Sequence, residues 1–361
     1  MKNNTFVAAT TEGKQARRAV YVDIHVLQTF PPNCANRDDK GSPKTAFVGG
    51  VTRGRLSSQA VKAAVRKYFK EHYGNGWAGK RTKYVANLIA DELRNIAPGM
   101  DAEEESKKIF AYIGKAESNN PDKSSALFFI SPAQVKAVAS LIAEGSTDKN
   151  EYNKALNENP AVDMALFGRM VASNASIKYD AATQVAPAFS THAVSNEHDY
   201  FSAVDDCEDQ TKAAHIDTSE FNSSTMYRYA NVNVTELQEY LGDMTAEAVA
   251  GFIDAFIKAA PSGKVHAYAH GTLPFMVYVT IREDAPINFG DAFEKPVTTA
   301  NGGYEENSEI AFCNRIRENY ENYGNGPVKA FGFGRHITEF AEKVSLPELT
   351  ARVKGWIDTE M

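Results

Sequence analysis

The chain has 361 residues, of which 43% are hydrophobic and 24% charged, and its formal net charge is −7. This composition is typical of a soluble globular protein of two or three domains, and it excludes collagen-like and low-complexity chains. The three cysteines are widely separated and form no CxxC pair, which argues against a disulfide framework and a zinc site. We also find no signal peptide and no run of about 18 apolar residues, which argues against a membrane span. Together these features favour a cytoplasmic protein.

The first elements in chain order are strands followed by a helix. Val20–Leu27 is rich in β-branched residues, which favours a strand, and residues 28–45 are predicted to be a loop. Two short strands are expected within residues 46–56, around a pair of glycines. A helix over 57–73 follows, because its apolar residues recur at helical spacing and Ser57 offers an N-cap.

The middle of the chain alternates between helical and strand patterns. Residues 74–159 have helical periodicity with clear caps, which predicts a separate helical insertion. At 162–170 apolar residues alternate, which predicts a strand. Residues 191–224 are polar, acidic and aperiodic, and a stretch of that length is usually functional or disordered.

The remaining elements predict a sheet with helices packed on it. Strands are expected at 225–234 and 274–282, with a helix at 245–260 between them and two later helices near 305–322 and 346–358. Strands that bracket helices at wide intervals, with one large helical insertion, predict an α+β fold of ferredoxin-like type.

Positive charge is concentrated near the amino end. Residues 1–90 hold 16 Lys and Arg against five Asp and Glu, whereas the other 271 residues hold 23 basic and 41 acidic side chains. This asymmetry indicates contact with nucleic acid, and chance clustering on a solvated surface is the alternative. It also allows copies of the chain to associate head to tail.

Basic and polar side chains converge on the predicted helix over 57–73. Some share one helix face at spacings of three and four residues, two alternate on the preceding strand, and others lie on the loop before it. Several cations around a helix N-terminus suit a sugar-phosphate backbone, which they bind without reading sequence, whereas a solvated basic face is the alternative. The candidate residues are Arg37, Lys44, Arg53, Arg55, Ser57, Gln59, Lys62 and Arg66.

Catalytic signatures are poor. The sequence has no GxxxxGK, HExxH or GxSxG motif, and no Gly-rich dinucleotide turn after a strand. Asp38 and Asp39 form an acidic pair amid basic residues that could bind a divalent metal, but two carboxylates without a third ligand favour a loop-capping role. We therefore expect no catalytic residue, metal or other cofactor.

Several short motifs lie along residues 20–300. They are Ile24–Leu27, Asn36–Asp39, Arg55–Gln59 with Lys62 and Arg66, Gly168–Met170, Tyr200–Asp206, Tyr227–Asn231 and Ala292–Lys295. In this order they resemble the CasC family, the repeated backbone subunit of the type I-E CRISPR Cascade surveillance complex. Each motif is short, and their combination is specific. The helical section 74–159 and the last sixty residues match poorly.

The resemblance implies a hand-like subunit. Its palm is a modified RNA-recognition (ferredoxin-like) domain formed by residues 17–73, 160–190 and 225–361. The helical insertion 74–159 forms the fingers, and a long hairpin at 191–224 forms the thumb.

The resemblance also implies a function. Copies would polymerise head to tail along a CRISPR guide RNA and present its spacer for pairing with target DNA, beside other Cascade subunits, as a non-enzymatic antiviral component. Six of the candidate residues, Arg37, Lys44, Ser57, Gln59, Lys62 and Arg66, would grip the guide backbone.

Two apolar side chains acquire a role from the same resemblance. Met170 and Phe201 would be wedges beside a displaced guide base, since an apolar or aromatic side chain stacks on any base. Ordinary core packing is the alternative for both.

Two other functions remain open at this point. In related type III complexes the loop after the first strand carries an aspartate that cleaves RNA, so a metal-dependent endoribonuclease using Asp38 or Asp39 is the rival function. A single-copy RNA-binding protein is a further alternative.

Overall fold

A computed structural model describes residues 18–205, 207, 213–299 and 302–361, with the side chains of 213 and 214 left out. The structure is a mixed α+β fold built on one large sheet, which confirms the predicted class. None of the helices in these ranges is long and apolar enough to cross a membrane.

The strands fall into one large and two small sheets. They are β1 (Tyr21–Asn33), β2 (Thr45–Val48), β3 (Val51–Leu56), β4 (Lys80–Thr82), β5 (Ala116–Glu117), β6 (Asn120–Ser124), β7 (Phe128–Ile130), β8 (Thr183–Val185), β9 (Ala188–Ser190), β10 (Glu197–Val204), β11 (Ala213–Asn233), β12 (Met276–Arg282), β13 (Lys329–Phe333) and β14 (Glu342–Lys343).

The helices are distributed over both halves of the chain. They are α1 (Ser58–His72), α2 (Val85–Ile96), α3 (Ala102–Ser106), α4 (Phe110–Ile113), α5 (Pro132–Ala143), α6 (Lys149–Asn157), α7 (Val162–Phe167), α8 (Val234–Leu241), α9 (Thr245–Lys258), α10 (Val265–Tyr268), α11 (Glu305–Tyr323) and α12 (Leu346–Glu360).

The large sheet has β1 at its centre. The strand order is β14-β13-β12-β1-β11-β9-β3-β2, and β8 and β10 also pair with β11. Both neighbours of β1 run antiparallel to it, with Ile24 opposite Ala230 on one side and Val279 on the other. Because helices or loops cover both faces, most residues of β1 are buried.

Side-chain alternation along β1 divides the interior into two cores. Val22, Ile24 and Val26 face the core that includes α1, α9 and α12. Leu27 faces an aromatic core on the other side of the sheet, where His25 also lies among the rings. Each aliphatic side chain buried in this way stabilises the fold by about 1.5–3 kcal/mol.

A separate core lies within residues 85–177. Side chains of α2, α5 and α6 pack there against β7. The helical periodicity predicted for residues 74–159 is confirmed for α2 and α5. The expectation of an all-helical section 74–159 is wrong in part, because the two small sheets, β4–β7 and β5–β6, also lie there.

Two predicted elements differ from the structure. The strand expected at 162–170 is the helix α7, and the loop expected at 28–45 begins only after Asn33 because β1 continues through an irregular register after Phe30. Every residue of α7 is buried, so its alternating apolar residues do not distinguish a helix from a strand.

The aperiodic segment 191–224 contains a long hairpin, which we call the arm: β10 and the part of β11 up to Phe221 that pairs with it. All residues of β10 are exposed, so neither strand face needs a hydrophobic pattern. A two-stranded hairpin without a core is only marginally stable in water by itself.

Candidate nucleic-acid interface

Helix α1 is anchored by one face and leaves the other free. Val61, Val65 and Phe69 are buried in the main core, so Gln59 and Lys62 are directed outward. This is the helix and the apolar face that the sequence predicts.

Ser57 is the N-cap of α1. Its hydroxyl accepts a hydrogen bond from the Ala60 N–H (3.2 Å), and its own N–H donates to Asn36 Oδ1 (2.8 Å). The side chain is therefore occupied with capping, which leaves the backbone N–H groups of Ser58 and Gln59 as the free donors of the first turn.

The loop before β2 is tied to the same helix terminus. The backbone of Arg37 forms an isolated antiparallel β-bridge with Pro43, and the Lys44 N–H donates to the Asn36 carbonyl (2.8 Å). The Arg55 N–H in turn donates to the Lys44 carbonyl (2.9 Å). Since Asn36 also bonds Ser57, the backbone brings Arg37, Lys44 and Arg55 close to the N-terminus of α1.

The prediction that Arg53 binds nucleic acid is wrong. Its side chain is fully buried. The guanidinium donates to the carbonyls of Val48 (3.2 Å), Ser190 (2.9 Å), Phe293 (2.9 Å) and Glu294 (3.3 Å), and burial lowers its pKa. Strand alternation places Arg53 and Arg55 on the same face of β3. It cannot show that β9 and residues 293–294 cover the side chain of Arg53.

Arg66 is committed to a buried ion pair. Its Nε donates to Asp163 Oδ2 (2.7 Å), and 14% of the Arg66 side chain and none of the Asp163 side chain is exposed. Burial raises the pKa of Asp163, while hydrogen bonds from Gly79 and Arg66 oppose that rise. Arg66 is thus a structural residue first, and only its edge is accessible to a ligand.

Lys62 lies one turn before Arg66 and has no acidic partner among the described residues. Its ammonium group lies over the Phe167 ring (5.7 Å). Burial and the neighbouring Arg81 charge lower its pKa. An anion placed beside Lys62 would stabilise the charged ammonium and so oppose the lowering of its pKa.

Met170 and Phe201 are exposed, which excludes core packing for either. The exposed fraction is 85% for Met170 and 42% for Phe201. Met170 follows Arg169, whose buried guanidinium donates to the carbonyls of Leu156 (2.7 Å) and Ile177 (2.7 Å) and so fixes the backbone that presents Met170. Phe201 lies on the arm, paired across from Asp217.

A cleft at the base of the arm was not foreseen from the sequence. It encloses about 710 Å³. Three cations, Arg37, Lys40 and Lys264, line it together with three acidic residues of the arm, Asp199, Asp217 and Glu220. Lys264 carries no sequence signal, because only the folded chain brings it to this cleft. Arg81 on β4 is missed for the same reason, since only the fold places it beside Lys62.

Asp38, the first residue of the acidic pair, has a structural role in its loop. Asp38 Oδ1 accepts hydrogen bonds from the N–H groups of Lys40 (2.9 Å) and Ser42 (3.0 Å), and it therefore caps the turn. Within the described part of the chain, no three His, Cys, Asp or Glu residues are grouped as metal ligands.

Buried polar groups lie on the far side of the sheet. The Asp23 carboxylate accepts from Tyr229 Oη (2.8 Å) and from the Ile287 N–H (3.0 Å), and burial raises its pKa to about 7. Burial lowers the pKa of His25 to about 3, so the imidazole is neutral. These groups lie in the aromatic core, opposite to α1, and belong to the packing of the sheet.

Comparison with known proteins identifies a family with this architecture. The model of the CT1975-like protein family matches residues 22–354. The chain belongs to this family, and its resemblance to the CasC family of CRISPR backbone subunits is confirmed. A search of curated protein sequences gives no significant match.

Two solved structures resemble the chain over almost its whole length. One is a chain of a "CRISPR RNA-guided surveillance complex, pre-nicking", with a TM-score of 0.82 and 30% identity, covering 93% of this chain and 99% of that chain. The other is a chain of a "CRISPR RNA-guided surveillance complex", with a TM-score of 0.71 and 26% identity, covering 92% of this chain and 99% of that chain.

Proposed function

We propose that the chain is a guide-RNA-binding backbone subunit of a type I-E Cascade complex. The observation that carries the proposal is a group of cations around the N-terminus of α1. Arg37, Lys44, Arg55 and Lys62 form no ion pair with a described residue, although the protein as a whole is acidic. Unpaired cations beside free backbone N–H groups are suited to a phosphate backbone.

The chemistry of this surface fits a guide whose sequence varies. Phosphate contacts give affinity and register but carry no sequence information. In RNA-guided recognition, base pairing reads the target and the protein holds the backbone. Gln59, exposed one turn before Lys62 and Ala63, adds a neutral donor and acceptor to the same face.

The two exposed apolar side chains support a second contact. We assign Met170 and Phe201 to stacking or wedging beside a guide base, which is independent of base identity. An exposed methionine on a fixed backbone and an exposed phenylalanine in an acidic arm have no packing role that would explain them.

The hand-like organisation belongs to the same proposal. The large sheet would be an RNA-recognition-like palm, the lobe with its own core at 85–177 the fingers, and the arm the thumb. The described arm residues, 197–204 and 213–221, carry four acidic side chains and no Lys or Arg, so phosphate is not their natural partner. A neighbouring copy or another subunit is a more suitable partner for the arm. Such a contact supports head-to-tail assembly along the guide and presentation of its spacer to target DNA.

The test is co-expression with a CRISPR array. We expect the purified protein to carry RNA, seen in the 260-to-280 nm absorbance ratio, and to have a mass of several protomers per RNA. Lys44→Glu combined with Lys62→Glu should abolish RNA retention. A charge-matched control, Lys67→Glu with Lys354→Glu, changes two exposed lysines elsewhere and should retain it.

Two results would contradict the proposal. Equal RNA retention by both double variants would show that the cations around α1 do not hold the guide. One protomer per RNA would exclude a polymerising backbone subunit and favour a single-copy RNA-binding protein.

A further inference from the structure

Strand β4 brings a cation from outside α1 to the same surface. The guanidinium of Arg81, on β4, lies over the ring of Phe129 at 4.5 Å from its centroid. The guanidinium of Arg66 lies over the same ring at 4.8 Å. Since Lys62 is one turn from Arg66, β4 places Arg81 beside the cations of α1.

A closed set of hydrogen bonds fixes this arrangement. The Arg66 Nε donates to Asp163 Oδ2 (2.7 Å), and the Gly79 N–H donates to Asp163 Oδ1 (2.8 Å). The Arg66 Nη2 donates to the Gly79 carbonyl (3.1 Å), which closes the ring. Asp163 therefore ties α1 to the residue two positions before Arg81.

The close approach requires a glycine at position 79. A Cβ at this position would lie 2.8 Å from the Phe129 ring and 2.9 Å from the Ile130 carbonyl oxygen. The backbone entering β4 therefore packs directly against β7. Arg81 is held by the backbone as well as by its stacked side chain.

The charges in this region are unbalanced. The buried acidic residue of this region is Asp163, and it already forms an ion pair with Arg66. Lys62 and Arg81 form no ion pair with any residue that the structure describes. Burial and the Arg81 charge lower the pKa of Lys62, and burial and the Arg66 charge lower the pKa of Arg81, while the Asp163 charge opposes the shift of Arg81. Three cations beside one buried carboxylate leave a net positive charge, which favours an anionic ligand.

We propose that Lys62 and Arg81 together bind one phosphodiester of the guide RNA, so that the RNA path continues from α1 onto β4. The assignment rests on the proposed function. Arg66 and Asp163 are positioning residues in this site, since their charges are satisfied by each other.

The two ligands have complementary chemistry. A guanidinium offers a planar fork that matches two phosphate oxygens, and stacking on Phe129 holds that plane in place. The Lys62 ammonium adds a point charge from the helix. Lys80, the exposed residue before Arg81, points to the opposite face of β4 because strand side chains alternate.

The test compares Arg81→Gln with Lys80→Gln in the full-length chain. A labelled single-stranded RNA of mixed sequence is titrated by fluorescence anisotropy over a series of salt concentrations. For Arg81→Gln we expect binding weaker by about fivefold and a smaller salt slope. The reduction has an upper bound of about 0.7, the value for one phosphate contact on a single strand, because Lys62 still contacts the same phosphate. Lys80→Gln should leave the slope unchanged.

Further variants separate a contact from a structural effect. Arg81→Lys should keep the slope but bind more weakly, because it keeps the charge and loses the planar fork. Arg66→Gln should lower the melting temperature while the slope of the folded protein stays that of the wild type. A slope reduced by Arg66→Gln at unchanged melting temperature would overturn its positioning role.

The outcomes distinguish this inference from the proposed function. If the wild type does not bind RNA, the proposed function itself fails. If the wild type binds and Arg81→Gln equals Lys80→Gln in affinity and slope, the site at Lys62 and Arg81 is refuted. If guide-loaded Arg81→Gln protein loses only the capture of complementary single-stranded DNA, the phosphate belongs to the target strand and the assignment to the guide is overturned.

Discussion

The ion pair between Arg66 and Asp163 provides a sharp test of the structure. In Arg66→Gln the charge of Asp163 stays fully buried and keeps only the hydrogen bond from the Gly79 N–H. Removing one partner of a buried ion pair costs about 3–5 kcal/mol, because the remaining charge has no compensation. Total stabilities of folded domains are about 5–15 kcal/mol, so the loss is a large share.

The effect has a defined pH dependence. Burial already raises the pKa of Asp163 in the folded protein, and loss of Arg66 raises it further. A carboxyl group whose folded-state pKa is raised favours the folded state at low pH, and this contribution is lost as the pH rises through the folded-state pKa. The destabilisation by Arg66→Gln should therefore be smaller at about pH 5 than at about pH 7.5.

Urea denaturation followed by circular dichroism at both pH values measures these quantities. The matched control is Lys67→Gln, which alters the next residue and an exposed pair with Glu71, and should change stability by less than about 1 kcal/mol. Arg66→Gln with Asp163→Asn should recover part of the loss, because it removes the buried charge. A loss below about 1 kcal/mol for Arg66→Gln, or one that grows on acidification, would refute the reasoning.

Three further predictions follow from other side chains. Arg53→Gln should lower the free energy of unfolding, measured by urea denaturation, by about 3 kcal/mol or more, because buried carbonyls lose their donor. The salt slope of RNA binding by the folded variant should stay unchanged. A normal stability with a reduced slope would instead identify Arg53 as an RNA ligand. The pKa of Asp23 is raised to about 7, so the stability of the wild type should fall, relative to Asp23→Asn, as the pH rises to about 7; parallel stability curves for the two proteins would contradict this. Met170→Ser should change stability by less than about 0.5 kcal/mol, because the side chain is exposed, and should weaken target-DNA capture by the guide-loaded protein; a large loss of stability would indicate packing instead.

Much of the fold follows from local patterns in the sequence. The helix α1, its cap at Ser57 and its buried apolar face are predicted correctly, because an amphipathic helix carries its own periodicity. The helix α7 is not predicted correctly, because a short segment buried on all sides has no polar face and therefore shows no helical periodicity in its sequence. The arm has the opposite problem: both of its faces are exposed, so its strands show no alternation.

The candidate site depends more strongly on tertiary contacts. Spacing correctly places Lys62 and Arg66 on one helix face, but the sequence does not show that Asp163, almost a hundred positions away, neutralises one of them. Arg53 is misassigned for the same reason, since its carbonyl partners come from distant segments. Arg81 is missed because a cation in a short strand has no pattern until the fold places it beside α1.

The three cysteines differ in accessibility, and this gives the protein a native site for selective thiol labelling. Cys34 and Cys313 are buried, whereas Cys207 is exposed and lies between the two arm strands in the sequence. A maleimide fluorophore or a spin label would therefore attach selectively near the tip of the arm without an engineered thiol. Energy transfer between a dye at this position and a dye on the RNA would follow the arm during complex formation.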